Sequence, residues 1–131
     1  MGERTHIISK YTEKGGHLFS DSGSTVELGR AKGAFVAYEL LLGALSHCLF
    51  STFKSLAEKM QVEYDGLDFD IVGVKRDEKV ATLETCDLNI SATGIVDKSK
   101  FEKAIEISTR YCSVFQTLSH VAKMSWTINY L

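Results

Sequence analysis

The chain has 131 residues, of which 44% are hydrophobic and 24% charged, which excludes a disordered segment and predicts a single domain over residues 1–131. A net charge of −2 gives no electrostatic basis for binding nucleic acid or a membrane surface. The N-terminal sequence does not resemble a signal peptide, no apolar run reaches the length of a membrane span, and three cysteines are too few for a disulfide-rich secreted domain, so we expect a cytoplasmic protein. No cysteine or histidine residues have the spacing of metal ligands, and we expect neither a metal nor a cofactor.

The first 30 residues predict three short strands. Turn signals stand at Gly15-Gly16 and at residues 21–24. The predicted strands are residues 7–11, 17–20 and 25–28. A loop containing Gly29 and Gly33 then leads into a helix.

This helix is predicted from Val36 to Met60, because its apolar residues recur every three or four positions. They are Leu41, Leu45, Cys48, Thr52 and Leu56. Between Leu40 and Phe50 the helix is apolar on all sides, which is typical of a helix buried all round. We therefore expect sheet, a partner subunit, or both to cover it.

Two strands are predicted next, at 65–75 and 81–93, joined by a polar turn at 76–79. In the second strand, Cys86 shares the parity of three apolar residues, Leu88, Ile90 and Ala92. We therefore expect Cys86 to point into the core and to be chemically inert.

Two capping-box patterns predict the remaining helices. Ser99-Lys100-Phe101-Glu102 opens a helix that runs to about Cys112, and Ser113-Val114-Phe115-Gln116 opens a short helix to about Val121. A closing strand covers 124–131, with Trp126, Ile128 and Tyr130 on one face. The predicted order is β-β-β-α-β-β-α-α-β, in the α+β class.

Cys48 on the long helix and Cys112 between the two later helices stand in unlike contexts, 64 positions apart. Two thiols can form a disulfide and be reduced again, so the pair is a candidate redox centre. The alternative is that each thiol is a small buried apolar side chain.

The segments AYELLLGALSHC, ending at Cys48, and Cys112-Ser113-Val114 resemble two motifs of the OsmC/Ohr family of thiol peroxidases. Family members carry a Pro-x-Glu-Leu-Leu-like segment before a helix with the reactive cysteine, and a Cys-Pro-hydrophobic turn before a later helix. The resemblance covers nearly the whole chain. Ala37 and Ser113 stand where the family prolines usually fall, and Ser113 is itself a good N-cap residue.

The resemblance implies an intertwined homodimer in which each long helix packs inside sheet from both chains. It also implies reduction of organic hydroperoxides in oxidative stress defence. Cys48 would attack and become a sulfenic acid, and Cys112 would close a disulfide. A dithiol such as a lipoylated protein would regenerate both thiols.

The charged residues differ from the family pattern, in which a glutamate ten positions before the cysteine holds an arginine. Tyr38 stands there, and the adjacent Glu39 is half a turn out of phase with Cys48 on a straight helix. The family arginine follows a Gly-Gly, where this chain has His17.

A buried thiol needs a cation or strong donors to ionise. We predict Arg30 as the activating cation and Tyr38, Glu39 and His17 as substrate-binding residues. His47 is about 100° round the helix from Cys48 and fits better as a packed or interface residue.

Two other functions stay open at this point. One is a protein of the same fold that binds an apolar small molecule at the dimer interface. The other is a hotdog-fold acyl-thioester hydrolase, which also wraps sheet around a helix. It would leave the cysteine pair unexplained, and the helix offers no obvious acidic base that faces a pocket.

Overall fold

Seven strands and three helices follow one another in the computed structural model, which describes residues 2–131. The elements are β1 (Ile7–Thr12), β2 (Gly15–Ser20), β3 (Thr25–Leu28), β4 (Ala34–Phe35), α1 (Ala37–Met60), β5 (Gly66–Lys75), β6 (Leu83–Thr93), α2 (Lys98–Tyr111), α3 (Ser113–Ser119) and β7 (Lys123–Tyr130). The α+β class is confirmed, and the predicted order holds except for the added two-residue strand β4.

The chain forms two compact units, one ending at Leu41 and one spanning Leu42–Leu131. The N-terminal unit contains a four-stranded sheet in the order β1-β2-β3-β4, in which β4 runs parallel to β3 and the other pairs are antiparallel. The predicted single domain is not tested by this division and stays a prediction.

The turn between β1 and β2 lies at Glu13 and Lys14, so its predicted place at Gly15-Gly16 is wrong. Both glycines belong to β2. Gly16 pairs with Tyr11 across the sheet, and a Cβ on Gly16 would collide with the Tyr11 ring. The glycine is therefore required by close packing between the strands rather than by the turn.

The C-terminal unit contains a three-stranded sheet in the order β5-β6-β7. β5 and β6 form an antiparallel hairpin, while β6 and β7 are parallel. A parallel pair needs a crossover connection, and α2 and α3 supply it. The chain segment that holds Cys112 therefore lies within this crossover.

The core of the C-terminal unit lies between α1, α2 and the inner face of this sheet. Its buried residues are Phe53, Ala57, Val62, Ile90, Ala92, Phe101, Ala104 and Ile105. The rings of Phe53 and Phe101 meet edge to face at 5.4 Å, a geometry that adds about 0.5–1.5 kcal/mol beyond burial. Cys86 is fully buried, which confirms the placement predicted from strand parity.

Helix α1 buries one row of residues spaced four apart, namely Leu45, Leu49, Phe53 and Ala57. By length and composition it also meets the criteria for a membrane span, so the expectation that no apolar run reaches that length is wrong. A core helix of a soluble protein meets the same criteria. The four buried residues form the side of α1 that packs against the rest of the chain.

Both predicted capping boxes are misplaced. The N-cap of α2 is Asp97, two residues before the predicted Ser99, and its side chain accepts a hydrogen bond from the backbone N–H of Lys100. The negative charge of an aspartate is also stabilised there, because the N-terminal end of a helix carries a partial positive charge. The N-cap of α3 is Cys112 rather than Ser113.

Candidate functional site

Cys112 occupies the junction of α2 and α3, where it ends one helix and starts the next. Its backbone N–H donates to the carbonyl of Ser108 at 2.8 Å, and its carbonyl accepts from the N–H of Gln116 at 3.0 Å. Its sulfur accepts a hydrogen bond from the N–H of Phe115 at 3.4 Å. The Cys112 side chain is therefore held by backbone groups in a fixed position and is fully buried.

Cys48 lies half-buried on α1, and its sulfur contacts the same helix start. The hydroxyl oxygen of Ser113 is 3.8 Å from the Cys48 sulfur. The thiol of Cys112 and the backbone N–H groups of Ser113 and Val114 are close enough to lower the pKa of the Cys48 thiol. The first N–H groups of a helix have no partner within the helix, so the start of α3 offers donors to both sulfurs.

These contacts decide which cysteine ionises more easily. Burial by itself raises the pKa of the Cys48 thiol. The donors from Val114, Cys112 and Ser113 together outweigh that effect, and the pKa of Cys48 lies below its ordinary value. Hydrogen bonds donated to a charged group stabilise the charged form, which here is the thiolate.

The neighbouring thiol shifts in the opposite direction. The pKa of the Cys112 thiol is raised to about 11, and burial is the largest cause. The hydrogen bond from the N–H of Phe115 acts in the opposite direction and lowers it. The hydrogen-bonding effect and the negative charge of Cys48 are smaller causes of this raised value. The pair therefore holds one proton, on Cys112, when Cys48 is ionised.

A groove of about 570 Å³ runs beside this site, between α1 and α2. It is lined by Thr52, Ser55, Leu56, Lys59, Ile107 and Tyr111. Thr52 lies one helical turn after Cys48 and donates its hydroxyl to the Cys48 carbonyl at 2.9 Å. Tyr111 directly precedes Cys112 and is exposed. The groove is thus lined by residues one helical turn after Cys48 and directly before Cys112, although neither cysteine lines it.

Arg30 and His17 lie in the N-terminal unit, where both line a cavity of about 310 Å³. Both side chains are exposed. The Nε2 atom of His17 is 3.6 Å from the Oε1 atom of Glu27, which lines the same cavity. The donors that lower the pKa of Cys48 all belong to residues 112–114. The activating role of Arg30 and the substrate contact of His17 stay predictions.

Glu39 has a structural role at the start of α1. Its carboxylate accepts a hydrogen bond from the backbone N–H of Val36 at 2.9 Å, which is the Glu half of a capping box. Tyr38 is half-buried at the second position of the helix, and His47 is exposed on its surface. Binding of substrate by Tyr38 or Glu39 stays a prediction.

Among residues 2–131, no group of three or more His, Cys, Asp or Glu side chains is placed to hold a metal ion. The polar groups next to Cys48 are a thiol, a hydroxyl and backbone N–H groups.

Sequence reasoning missed the role of the α3 start. The sequence predicts Ser113 as an N-cap, whereas it is the first helical residue, and its hydroxyl contacts Cys48. The available signal was the sequence Cys-Ser directly before an amphipathic segment, since small polar residues at a helix start leave N–H groups free for a ligand. No local pattern indicates that this ligand is a sulfur 65 residues away.

The profile of the family described as OsmC-like protein matches residues 29–127 of the chain. The fold is similar to that of an OsmC-like protein from Mycoplasma pneumoniae, with a TM-score of 0.90 and 18% identity over 100% of this chain and 99% of that one. A comparison with curated proteins gives no match.

Two further solved structures with this fold are proteins of organic hydroperoxide resistance. The OsmC protein of Legionella pneumophila, a predicted redox protein, has a TM-score of 0.74 and 11% identity over 98% of this chain and 99% of that one. OhrB of Bacillus subtilis has a TM-score of 0.72 and 12% identity over 97% of this chain and 98% of that one. At these identities the similarity shows a shared fold.

Proposed function

Because the chain belongs to the OsmC-like protein family, we propose that it is a thiol-dependent peroxidase that reduces organic hydroperoxides in oxidative stress defence. One observation carries the proposal. Cys48 and Cys112 lie against one helix start, and their surroundings shift the two thiol pKa values in opposite directions. Titratable groups whose pKa values are pushed apart are typical of active sites with divided roles.

In the first step, the Cys48 thiolate attacks the terminal oxygen of the hydroperoxide. A sulfur–oxygen bond forms while the oxygen–oxygen bond breaks, and the alkoxide leaves. It takes up the proton that Cys48 released on ionising and departs as an alcohol. The sulfur is oxidised to a sulfenic acid, and the hydroperoxide is reduced.

In the second step, Cys112 attacks the sulfenic sulfur. A disulfide forms, the sulfur–oxygen bond breaks, and the hydroxide leaves as water with the proton of the Cys112 thiol. The Cys48 thiolate raises the pKa of Cys112, and its negative charge disappears on oxidation. The resolving thiol therefore becomes more acidic at the stage when its thiolate is needed.

A dithiol completes the cycle by two thiol–disulfide exchanges. One thiol attacks the Cys48–Cys112 disulfide, the second closes a disulfide in the reductant, and both protein thiols are restored. A lipoylated protein fits this step because its two thiols are tethered.

The groove beside Cys48 supports an organic hydroperoxide over hydrogen peroxide. Leu56, Ile107 and the ring of Tyr111 give it an apolar lining, and apolar clefts bind small molecules through buried area. A substrate with an alkyl or aromatic body can bury that body here. Hydrogen peroxide has no such body and would gain nothing from the groove.

Association as a homodimer is part of the proposal. Between Leu42 and Phe50, the buried residues are Leu45 and Leu49, while Ala44 is exposed and Leu42 is half-buried. An apolar helix face of this length is typical of an interface rather than of a solvated surface. A second copy of the chain would cover it.

The groove also supports a second function, the binding of an apolar small molecule without turnover. Its volume of about 570 Å³ is in the range of small-molecule sites, about 300–1,000 Å³. Under this alternative Cys48 and Cys112 are packed side chains near the groove rather than reactants.

Consumption of cumene hydroperoxide with dihydrolipoamide as reductant separates the two functions. The peroxidase predicts multiple turnovers by the parent protein, none by Cys48→Ser, and a trapped sulfenic acid in Cys112→Ser, detected with dimedone. Cys86→Ala is the matched control and should keep activity, since Cys86 lies in the core. Hydroperoxide loss that is the same for the parent and Cys48→Ser would refute the peroxidase and favour the binding protein.

A further inference from the structure

Ser113 places a side-chain hydroxyl next to the two cysteines. It is the first residue of α3, and the Cys112 sulfur before it already caps the helix by accepting from the N–H of Phe115. The Ser113 hydroxyl is therefore not needed as a helix cap. It lies instead 3.8 Å from the sulfur of Cys48.

We propose that Ser113 is a further catalytic residue, whose hydroxyl donates a hydrogen bond to the Cys48 thiolate and, after oxidation, to the oxygen that the sulfur has gained. The inference rests on the proposed reaction of Cys48, which it deepens. The Ser113 hydroxyl would then supply part of the stabilisation of the Cys48 thiolate that the sequence predicts for a cation.

The direction of the hydrogen bond explains how Ser113 favours the thiolate. When Cys48 is a neutral thiol, either the hydroxyl or the thiol can donate. When Cys48 is ionised, its sulfur can only accept, and the hydroxyl becomes the donor to a full negative charge. Hydrogen bonds to charged groups are stronger than neutral ones, so this contact stabilises the thiolate more than the thiol.

The hydroxyl differs from the other donors in being able to rotate. The N–H groups of Ser113 and Val114 are fixed by the helix, whereas a serine hydroxyl turns about its bond to Cβ and both donates and accepts. Once an oxygen has been added to the Cys48 sulfur, the hydroxyl can bond that oxygen. It can thereby stabilise the hydroxide that leaves when Cys112 attacks.

Three substitutions at one position separate the hydroxyl from the backbone. Ser113→Ala removes the hydroxyl and keeps the N–H. Ser113→Thr keeps both groups. Ser113→Pro removes both, and the first position of a helix tolerates proline. All three fit this helix position, and circular dichroism checks that each variant is folded.

The full-length folded protein is alkylated with iodoacetamide at a series of pH values. The protein is then digested, and the rate of alkylation of Cys48 is measured by peptide mass mapping. We expect Ser113→Ala to raise the thiol pKa of Cys48 and to slow its alkylation at neutral pH by about two- to tenfold, the size of one hydrogen bond. Ser113→Thr should restore the parent profile. Ser113→Pro should shift the profile further than Ser113→Ala.

A Ser113→Ala profile that coincides with that of the parent would overturn the proposal, as would a Ser113→Thr profile that coincides with that of Ser113→Ala. Alkylation needs no hydroperoxide. If the variants follow the expected order but the parent consumes no hydroperoxide, the bond to the thiolate stands, and the peroxidase together with the catalytic role of Ser113 is refuted.

Discussion

Cys48 and Cys112 affect each other's acidity in opposite directions: Cys112 lowers the pKa of the Cys48 thiol, and Cys48 raises the pKa of the Cys112 thiol. Two thiols that interact in this way titrate as a unit, in which the acidity of each depends on the state of the other. The two pKa shifts are therefore linked, and each of them can be measured.

The first prediction concerns the pH dependence of Cys48. Because its pKa lies below the ordinary value and only the thiolate attacks, reaction with iodoacetamide should rise with pH. The half-maximal rate should come at a lower pH than in the same chain unfolded in urea, which is the matched control. If the folded protein has its midpoint at or above that of the unfolded chain, the assignment of Cys48 as the attacking thiol is wrong.

The second prediction concerns Cys112, whose pKa of about 11 results from burial, with the contact to Cys48 and its charge as further causes. Cys48→Ala removes the contact and the charge and leaves the burial. The pKa of Cys112 should therefore fall from about 11 but stay above its ordinary value. Nuclear magnetic resonance of isotope-labelled cysteine follows the titration of each thiol separately.

Cys86 serves as the internal reference for that titration. Burial raises its pKa, with the charge of Asp87 as a second cause, and neither cause involves Cys48. Its titration should be the same in Cys48→Ala as in the parent. A Cys112 titration that is equally unchanged would show that the two thiols are not coupled.

The third prediction concerns the product of oxidation. One equivalent of cumene hydroperoxide should link Cys48 to Cys112 within one chain, because both sulfurs lie against the start of α3 and each affects the pKa of the other. Non-reducing peptide mapping identifies the linked peptides. Cys86 is fully buried in the core and should remain a free thiol. A linkage that involves Cys86, or a bond between chains in place of Cys48–Cys112, would contradict the assigned pair.

The fourth prediction tests Arg30. A guanidinium keeps its charge and offers several donors to a sulfur and to a peroxide oxygen. If Arg30 assists Cys48, Arg30→Ala should slow the reaction with cumene hydroperoxide by at least about tenfold, the size of one charge-assisted contact. Stopped-flow measurement of a single turnover reports this step without the reductant.

Lys32→Ala is the matched control for that experiment, because it removes an exposed positive charge from the same loop. Equal rates for the parent and both variants would show that Arg30 is a surface residue, and His17→Ala would then be the next variant to measure. The donors from the start of α3 would in that case suffice to activate Cys48.

Local patterns allowed most of the fold to be predicted. Strand parity placed Cys86 correctly in the core, and hydrophobic spacing gave α1 to within one residue at its start. The helix starts were harder, because Asp97 and Ser99 are both good N-caps two positions apart. Strand β4 has two residues, too few for any periodic pattern.

The site itself was predicted in part. The two cysteines followed from their sequence contexts. The donors to Cys48 did not, because a contact between residues 65 positions apart depends on how α1 and the α2–α3 junction pack together. That packing is a tertiary property. Every helix start has free backbone N–H groups, and no local pattern in the sequence indicates which of them lie near Cys48.

The fifth prediction concerns assembly. Ala44 is exposed on the apolar part of α1, and the proposal places this part of the helix in a dimer interface. Sedimentation of the parent at micromolar concentration should show a dimer. Ala44→Arg should weaken the dimer strongly, because a charge buried without a partner at an interface is costly. Ser99→Arg adds the same charge at an exposed position of α2 and should leave the dimer intact. A parent that sediments as a stable monomer would remove the dimer from the proposal, and equal dimer stability in the two variants would place the interface elsewhere on the chain.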